Sequence, residues 1–139
     1  LVIVSGAVRD EGTANHYMPL AFPAVADLDV VACLRDACRA MGIGHHIGFT
    51  HSKDSFYAEM EPDRMPLADE LKKRWRAWVM GGVMCSEMEA ATLFVLCNIL
   101  RKRAGGLMVA IKDTRPQIEV VCEAAVEGVR RLIALDAET

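Results

Sequence analysis

Residues 83–94 read Val83-Met84-Cys85-Ser86-Glu87-Met88-Glu89-Ala90-Ala91-Thr92-Leu93-Phe94, and this stretch decides the class of fold. Gly81-Gly82 precede it, so Val83-Met84-Cys85 begins a new element too short for a helix. Beyond Ser86 the spacing changes: Ala91, Phe94, Val95, Asn98 and Ile99 fall on one helical stripe. A short apolar strand thus runs directly into a helix, expected from about Met88 to Arg103.

The alternation continues in both directions. Upstream, Leu1 to Val8 is an apolar run that reads as a strand. Arg9 to Ala26 carries Gly12, Pro19 and Pro23 and reads as a long connection. Asp27 is a good N-cap for a helix to about Met41, with Val30, Val31, Leu34, Cys38 and Met41 as its apolar face and Gly42 and Gly44 ending it. Ile43 to His51 reads as a second strand, followed by an irregular Glu59 to Pro66 and a helix from Leu67 to Val79 with Leu71, Trp75 and Trp78 on one stripe. Downstream, a strand is expected over Gly106 to Ile111 and a helix from Pro116 to Leu135, packed through Ile118, Val121, Ala125, Val129 and Leu132. Strands alternating with helices imply an α/β fold whose largely parallel sheet carries helices on both faces. Three or four strands make a small sheet of that kind. The sequence, opening on Leu1-Val2-Ile3-Val4, therefore reads as one domain that is the later part of a larger one.

The composition fits a packed domain and narrows the function. The chain has 139 residues, 53% hydrophobic and 25% charged, with 10 Gly and 5 Pro, which excludes a disordered or collagen-like polymer. A net charge of −3 lacks the basic excess of a nucleic-acid-binding domain. No apolar run approaches the roughly 20 residues a membrane helix needs. The five cysteines, Cys33, Cys38, Cys85, Cys97 and Cys122, are odd in number and form no CxxC pair, so a reducing, cytoplasmic setting is expected. Among the histidines, His45 and His46 are adjacent and point to opposite faces of a strand, so no metal site is expected there.

Three stretches carry possible chemistry. In Ser86-Glu87-Met88-Glu89, a carboxylate at the start of a helix can accept two hydrogen bonds from vicinal hydroxyls, and Met88 offers a soft surface for a sugar ring. Acids in a first helical turn also occur simply because they favour the helix dipole. In Lys53-Asp54-Ser55-Phe56-Tyr57, an aromatic stands beyond a strand end, where ligands of open α/β sheets bind, although the same residues would serve as a turn and a core cap. Arg9-Asp10-Glu11-Gly12-Thr13 is a polar loop at another strand end. No GxGxxG, P-loop or serine nucleophile elbow is present.

Taken together, these stretches resemble the nucleoside phosphorylase family, nearest its uridine phosphorylase branch. The likeness runs through AVRDEGTANHYMPLAFPAVAD (residues 7–27), SKDSFYAEMEPDRMP (52–66) and GVMCSEMEAATLF (82–94), in the family's order and over essentially the whole chain. It implies a three-layer α/β/α fold around a central mixed, largely parallel, twisted sheet. It also implies reversible phosphorolysis of a pyrimidine nucleoside, uridine first, to free base and ribose 1-phosphate, with purine nucleoside cleavage, a nucleosidase or a non-catalytic nucleoside-binding or oligomeric member as the alternatives.

The resemblance assigns residues as well. Glu89 would bind the ribose hydroxyls, Met88 would pack on the ribose, and Glu87 would line the sugar and phosphate side, with Glu87 and Glu89 the catalytic pair. Phe56 would stack near the base. Glu59 takes the place of the family's uracil-reading glutamine, with Met60 beside it and Arg64 as a compensating donor. A glutamine offers a donor and an acceptor, and a carboxylate only acceptors, so base preference stays open. Glu59 is expected to face an apolar pocket made by Phe56 and Met60. The partners implied are a nucleoside and inorganic phosphate as co-substrate, with no cofactor, no metal beyond a possible monovalent cation, no nucleic acid and no membrane. A homo-oligomer, a hexamer built from dimers, is expected. The family's phosphate ligands come mostly from an N-terminal half with no counterpart here, and its flexible loop would fall near Ile111–Lys112, where that segment is missing and a mobile connection is expected.

Overall fold

The computed structural model describes residues 1–110 and 115–138. Five strands, β1 (Val2–Asp10), β2 (Ala24–Val25), β3 (His46–Lys53), β4 (Val83–Glu87) and β5 (Gly106–Met108), alternate with five helices, α1 (Leu28–Ala40), α2 (Phe56–Met60), α3 (Ala68–Met80), α4 (Ala90–Ile99) and α5 (Arg115–Ala137). Short 3-10 turns cover Thr13–His16 and Pro62–Arg64.

β1 is the centre of the sheet. It pairs in parallel with β3 along its whole length, from Val2 opposite His46 to Asp10 opposite Lys53. β3 in turn pairs in parallel with β4. The other edge of β1 is shared by two short antiparallel strands, β5 beside Val2–Val4 and β2 beside Gly6 and Ala7. The result is the largely parallel sheet expected from the alternation, open and made mixed by β2 and β5.

The helices lie on both faces because consecutive β1 side chains point opposite ways. Ile3 packs with Leu34 and Cys38 of α1 and Ala124 of α5. Val4 packs with Ala90, Ala91, Phe94 and Val95 of α4 and with Ala14, Ala24 and Ala26. Both Ile3 and Val4 are wholly buried. Asp27 caps α1 as the sequence suggests, its carboxylate accepting the Val30 N–H at 3.0 Å. Gly82, at φ +88°, makes the turn from α3 into β4 that a side chain would strain.

Several boundaries differ from expectation for identifiable reasons. The segment read as a connection from Arg9 to Ala26 holds the 3-10 turn and β2, stitched together by one side chain. Arg9 donates to the carbonyls of Met18, Pro19 and Phe22 and to Asn15 Oδ1, at 2.6–3.1 Å. β1 and β3 run two residues past Val8 and His51, because the polar residues at their ends are paired inside the structure rather than solvated. α4 starts at Ala90, not Met88, and ends at Ile99, with Arg101 at φ 54° closing it. α5 packs on α1 through small residues, Ala124 and Gly128, while Ile118 and Val129 of the expected stripe are exposed. β5 is three residues long, and the expected lid position at Ile111–Lys112 lies outside the described residues.

Candidate active site

Parallel pairing brings the carboxyl ends of β1, β3 and β4 together, and α2 and α3 close over them. Between these elements lies a cleft of about 240 Å³. Its wall includes Asp10, His51, Lys53 and Glu59 from the strand ends and α2, and Leu71, Arg74, Trp75 and Trp78 from α3. The four residues Thr50, His51, Ser52 and Lys53 are polar and consecutive, yet all are buried. Buried polar groups need partners, and each of the four has one in the site.

His51 sits against Trp75 and Trp78, with ring centroids 5.6 and 6.1 Å away. Its Nε2 is 3.0 Å from Asp10 Oδ2, and Asp10 also accepts from Arg74 Nη1 at 3.2 Å. A carboxylate only accepts, so the ring proton is assigned to Nε2, which turns Nδ1 toward Ser86 Oγ at 3.4 Å. Ser86 Oγ donates to Glu59 Oε2 at 2.6 Å, and Lys53 Nζ lies 2.6 Å from both atoms. Glu59 is therefore not in an apolar pocket of Phe56 and Met60. Its carboxylate faces a lysine, while Phe56 and Met60 are 50% and 59% exposed.

The second part of the site is the junction of β4 and α4. The Glu87 carboxylate is fully engaged within the protein. Oε1 accepts Ser52 Oγ at 2.5 Å and Thr50 Oγ1 at 3.3 Å. Oε2 accepts the backbone N–H of Glu89 at 2.7 Å and of Ala90 at 2.6 Å. Ser52 Oγ takes the next amide, Ala91 N–H, at 2.9 Å. The first amides of α4, which no intrahelical carbonyl can satisfy, are thus held by side chains from β3 and β4. This also explains the late start of the helix.

Glu89 occupies the N-cap position and is exposed. Its Oε2 accepts the Met88 N–H at 3.2 Å, and Oε1 makes no bond among the described residues. Met88 beside it is 38% exposed. The arrangement offers one fixed, accessible carboxylate next to an apolar surface, which suits a vicinal diol on a small ring. Cys85, in the same strand, is a thiol whose pKa burial pushes up, against a hydrogen bond with Thr50 and with a smaller push from Glu87.

Of the residues singled out from sequence, Glu59, Glu87, Met88 and Glu89 meet around the ends of β3 and β4. Phe56 lies at the rim, 5.4 Å edge-to-face with Tyr57 and 6.0 Å from Lys53 Nζ. Arg64 turns away, paired with Glu61, with a side chain 76% exposed. Sequence reasoning singled out the stretches that hold Asp10, Lys53 and Ser86 but gave these residues no role, and it missed His51, Ser52 and the site position of the α3 tryptophans. The available signal was Thr50-His51-Ser52-Lys53, a polar run directly continuing an apolar strand.

In open α/β sheets ligands bind outside the carboxyl ends of the strands, and it is there that Asp10, His51, Lys53 and Glu59 gather. The Phosphorylase superfamily model matches residues 1–137, and the chain belongs to that superfamily. It is 38% identical over 148 residues to the uridine phosphorylase of Treponema pallidum (strain Nichols), covering 99% of this chain and 57% of that protein. It is 40% identical over 114 residues to the uridine phosphorylase of Thermococcus kodakarensis, covering 76% of this chain and 39% of that one. A further relative, the guanosine phosphorylase of Halorubrum lacusprofundi, is 33% identical over 107 residues, 77% of this chain and 40% of that protein. The chain spans about half the length of the curated relatives it matches.

Proposed function

We propose that the protein catalyses reversible phosphorolysis of a pyrimidine nucleoside, uridine first, giving free base and ribose 1-phosphate. The observation that carries this reading is the Glu89 carboxylate, accessible and fixed at the start of α4 beside Met88, just beyond the β4 strand whose Ser86 bonds Lys53 and Glu59 of the cleft wall. Glu89 accepts the ribose hydroxyls and Met88 packs on the sugar. Glu87 acts as a positioning residue, since its oxygens hold the backbone of Glu89. Phe56 and Met60 flank the base at the rim, and Glu59 faces its edge. Arg64 takes no part in this arrangement. The uridine phosphorylases among the relatives support the substrate.

The chemistry asks little covalent work of the protein. As the base departs, the sugar becomes oxocarbenium-like, and phosphate oxygen closes on C1′. Fixing the sugar by its hydroxyls and placing negative charge nearby lowers that barrier through positioning and electrostatics. Inorganic phosphate is the co-substrate, and no organic cofactor enters the step; a monovalent cation is compatible with it. The guanosine phosphorylase relative supports a second reading, in which the base is a purine. The family resemblance supports assembly as a hexamer built from dimers, and five free cysteines support a reducing, cytoplasmic location.

The test is release of base from a nucleoside panel by the full chain, with and without phosphate. Release from uridine only with phosphate agrees with the proposal. Release in water alone makes the protein a nucleosidase, and preference for guanosine or inosine selects the second reading.

A further inference from the structure

The buried pair Lys53–Glu59 has more binding capacity than the protein uses. The Lys53 side chain is 9% exposed and that of Glu59 19%. A lysine this buried is rare unless paired. Nζ uses two of its three donors, on Glu59 Oε2 and Ser86 Oγ, both at 2.6 Å. Among the described residues the third donor has no acceptor, and Glu59 Oε1 has no donor. Both residues line the 240 Å³ cleft, as do Trp75 and Trp78. The cleft thus presents a cationic donor and an anionic acceptor side by side, in a wall that also carries two tryptophans.

We infer that Lys53 is a catalytic residue for the departing base: its ammonium donates to a base carbonyl oxygen while Glu59 Oε1 accepts the adjacent ring N–H. The inference rests on the phosphorolysis proposed above and adds a residue and a role to it. The matching ligand edge is a carbonyl next to an N–H, as in a pyrimidine-2,4-dione. Lys53 supplies the donor that replacing the family's glutamine with a carboxylate had removed.

The electron count gives the pair its catalytic meaning. When the C1′–N1 bond breaks, both electrons leave with the base, while an oxygen of hydrogen phosphate forms the new bond to C1′. The base departs as an anion whose charge is delocalised onto its carbonyl oxygens. The proton of the hydrogen phosphate then ends on N1. A fixed ammonium at a carbonyl oxygen binds the anion better than the neutral base, which is the condition for accelerating the step. Glu59 keeps the lysine in place and selects for the N–H.

The experiment compares uridine with 5-fluorouridine, whose base is the better anion because fluorine withdraws charge. Phosphorolysis is measured on the full chain for wild type, Lys53→Met and Lys53→Arg, with 3-methyluridine as a wild-type control. Lys53→Met should lower kcat on uridine by about 100-fold, in the range seen when one electrostatic donor is removed, and on 5-fluorouridine by about tenfold or less. KM should change little, Lys53→Arg should restore most of kcat, and 3-methyluridine should be a poor substrate. If Lys53→Met melts early, the double variant Lys53→Met/Glu59→Gln, which strands no charge, should show the same difference between the two substrates. Equal losses on both substrates, or ready cleavage of 3-methyluridine, overturn the role of the pair while leaving phosphorolysis intact. A wild-type protein that cleaves no nucleoside in the presence of phosphate overturns the functional proposal itself, and this inference with it.

Discussion

The carboxylate of Glu87 accepts the backbone N–H of Glu89 at 2.7 Å, so one acid of the pair holds the other in place. The two glutamates stand two residues apart and look equivalent in sequence. In the structure one is saturated by four donors from β3 and the start of α4, and the other keeps an oxygen open to solvent. Their variants should therefore fail differently.

Glu87→Ala should cost stability as well as activity. It leaves two helix-start amides and the Ser52 hydroxyl without their acceptor, while Thr50 keeps the Cys85 carbonyl, a loss of about 2 kcal/mol or more. Glu87→Gln keeps one carbonyl oxygen and should fall in between. Denaturant titration checks this, and an unchanged midpoint in Glu87→Ala would show that the cap is replaceable.

Gly128 lets α5 lie directly on α1. A side-chain carbon there would stand 2.5 Å from Leu34 Cδ2. Gly128→Val should destabilise by about 2 kcal/mol through overpacking. A thermal melt equal to wild type would mean that the helices separate freely.

The part of the fold legible from sequence was the part set by local pattern. Asp27 before an apolar stripe marks α1, and the change of spacing at Ser86 marks β4 passing into α4. What escaped depends on contacts between distant residues. The start of α4 is fixed by Ser52 and Glu87, from two different strands. Lys53 reads as a loop residue until Glu59 and Ser86 are brought to it across 6 and 33 positions of chain. On α5, Ile118 and Val129 outrank Ala124 and Gly128 by hydrophobicity, but closeness to α1 favours the small residues.

Arg9 should matter although it touches no expected ligand. Its guanidinium ties residues 15–22 through four hydrogen bonds. Arg9→Met should lower stability by on the order of 2 kcal/mol and speed amide exchange and proteolytic cleavage in that segment. Unchanged cleavage would show that the segment holds its shape without it.

Cys85 should be slow to alkylate. Burial raises its thiol pKa above the ordinary 9.0, opposed by the hydrogen bond with Thr50 and aided by Glu87. Only the thiolate reacts. Iodoacetamide at about pH 8 should label exposed Cys122 well before Cys85, with Cys85 labelling increasing as the pH is raised further. Peptide mass analysis reads the two sites, and equal rates at the lower pH would contradict the buried position.

The most direct test of the account pairs a change in the protein with a change in the substrate. If Glu89 accepts the ribose hydroxyls, removing the carboxylate and removing the hydroxyls delete the same interaction. The measurement is kcat/KM for phosphate-dependent cleavage of uridine and of 2′,3′-dideoxyuridine, by wild type and by Glu89→Ala. Two hydrogen bonds to a charged acceptor, at about 1.5–3 kcal/mol each, correspond to a preference of roughly 10²–10⁴ for uridine in wild type. The account predicts that Glu89→Ala, with its melting temperature kept, loses most of that preference and cleaves both substrates at a similar low rate. A variant that still prefers uridine as strongly as wild type does would contradict it.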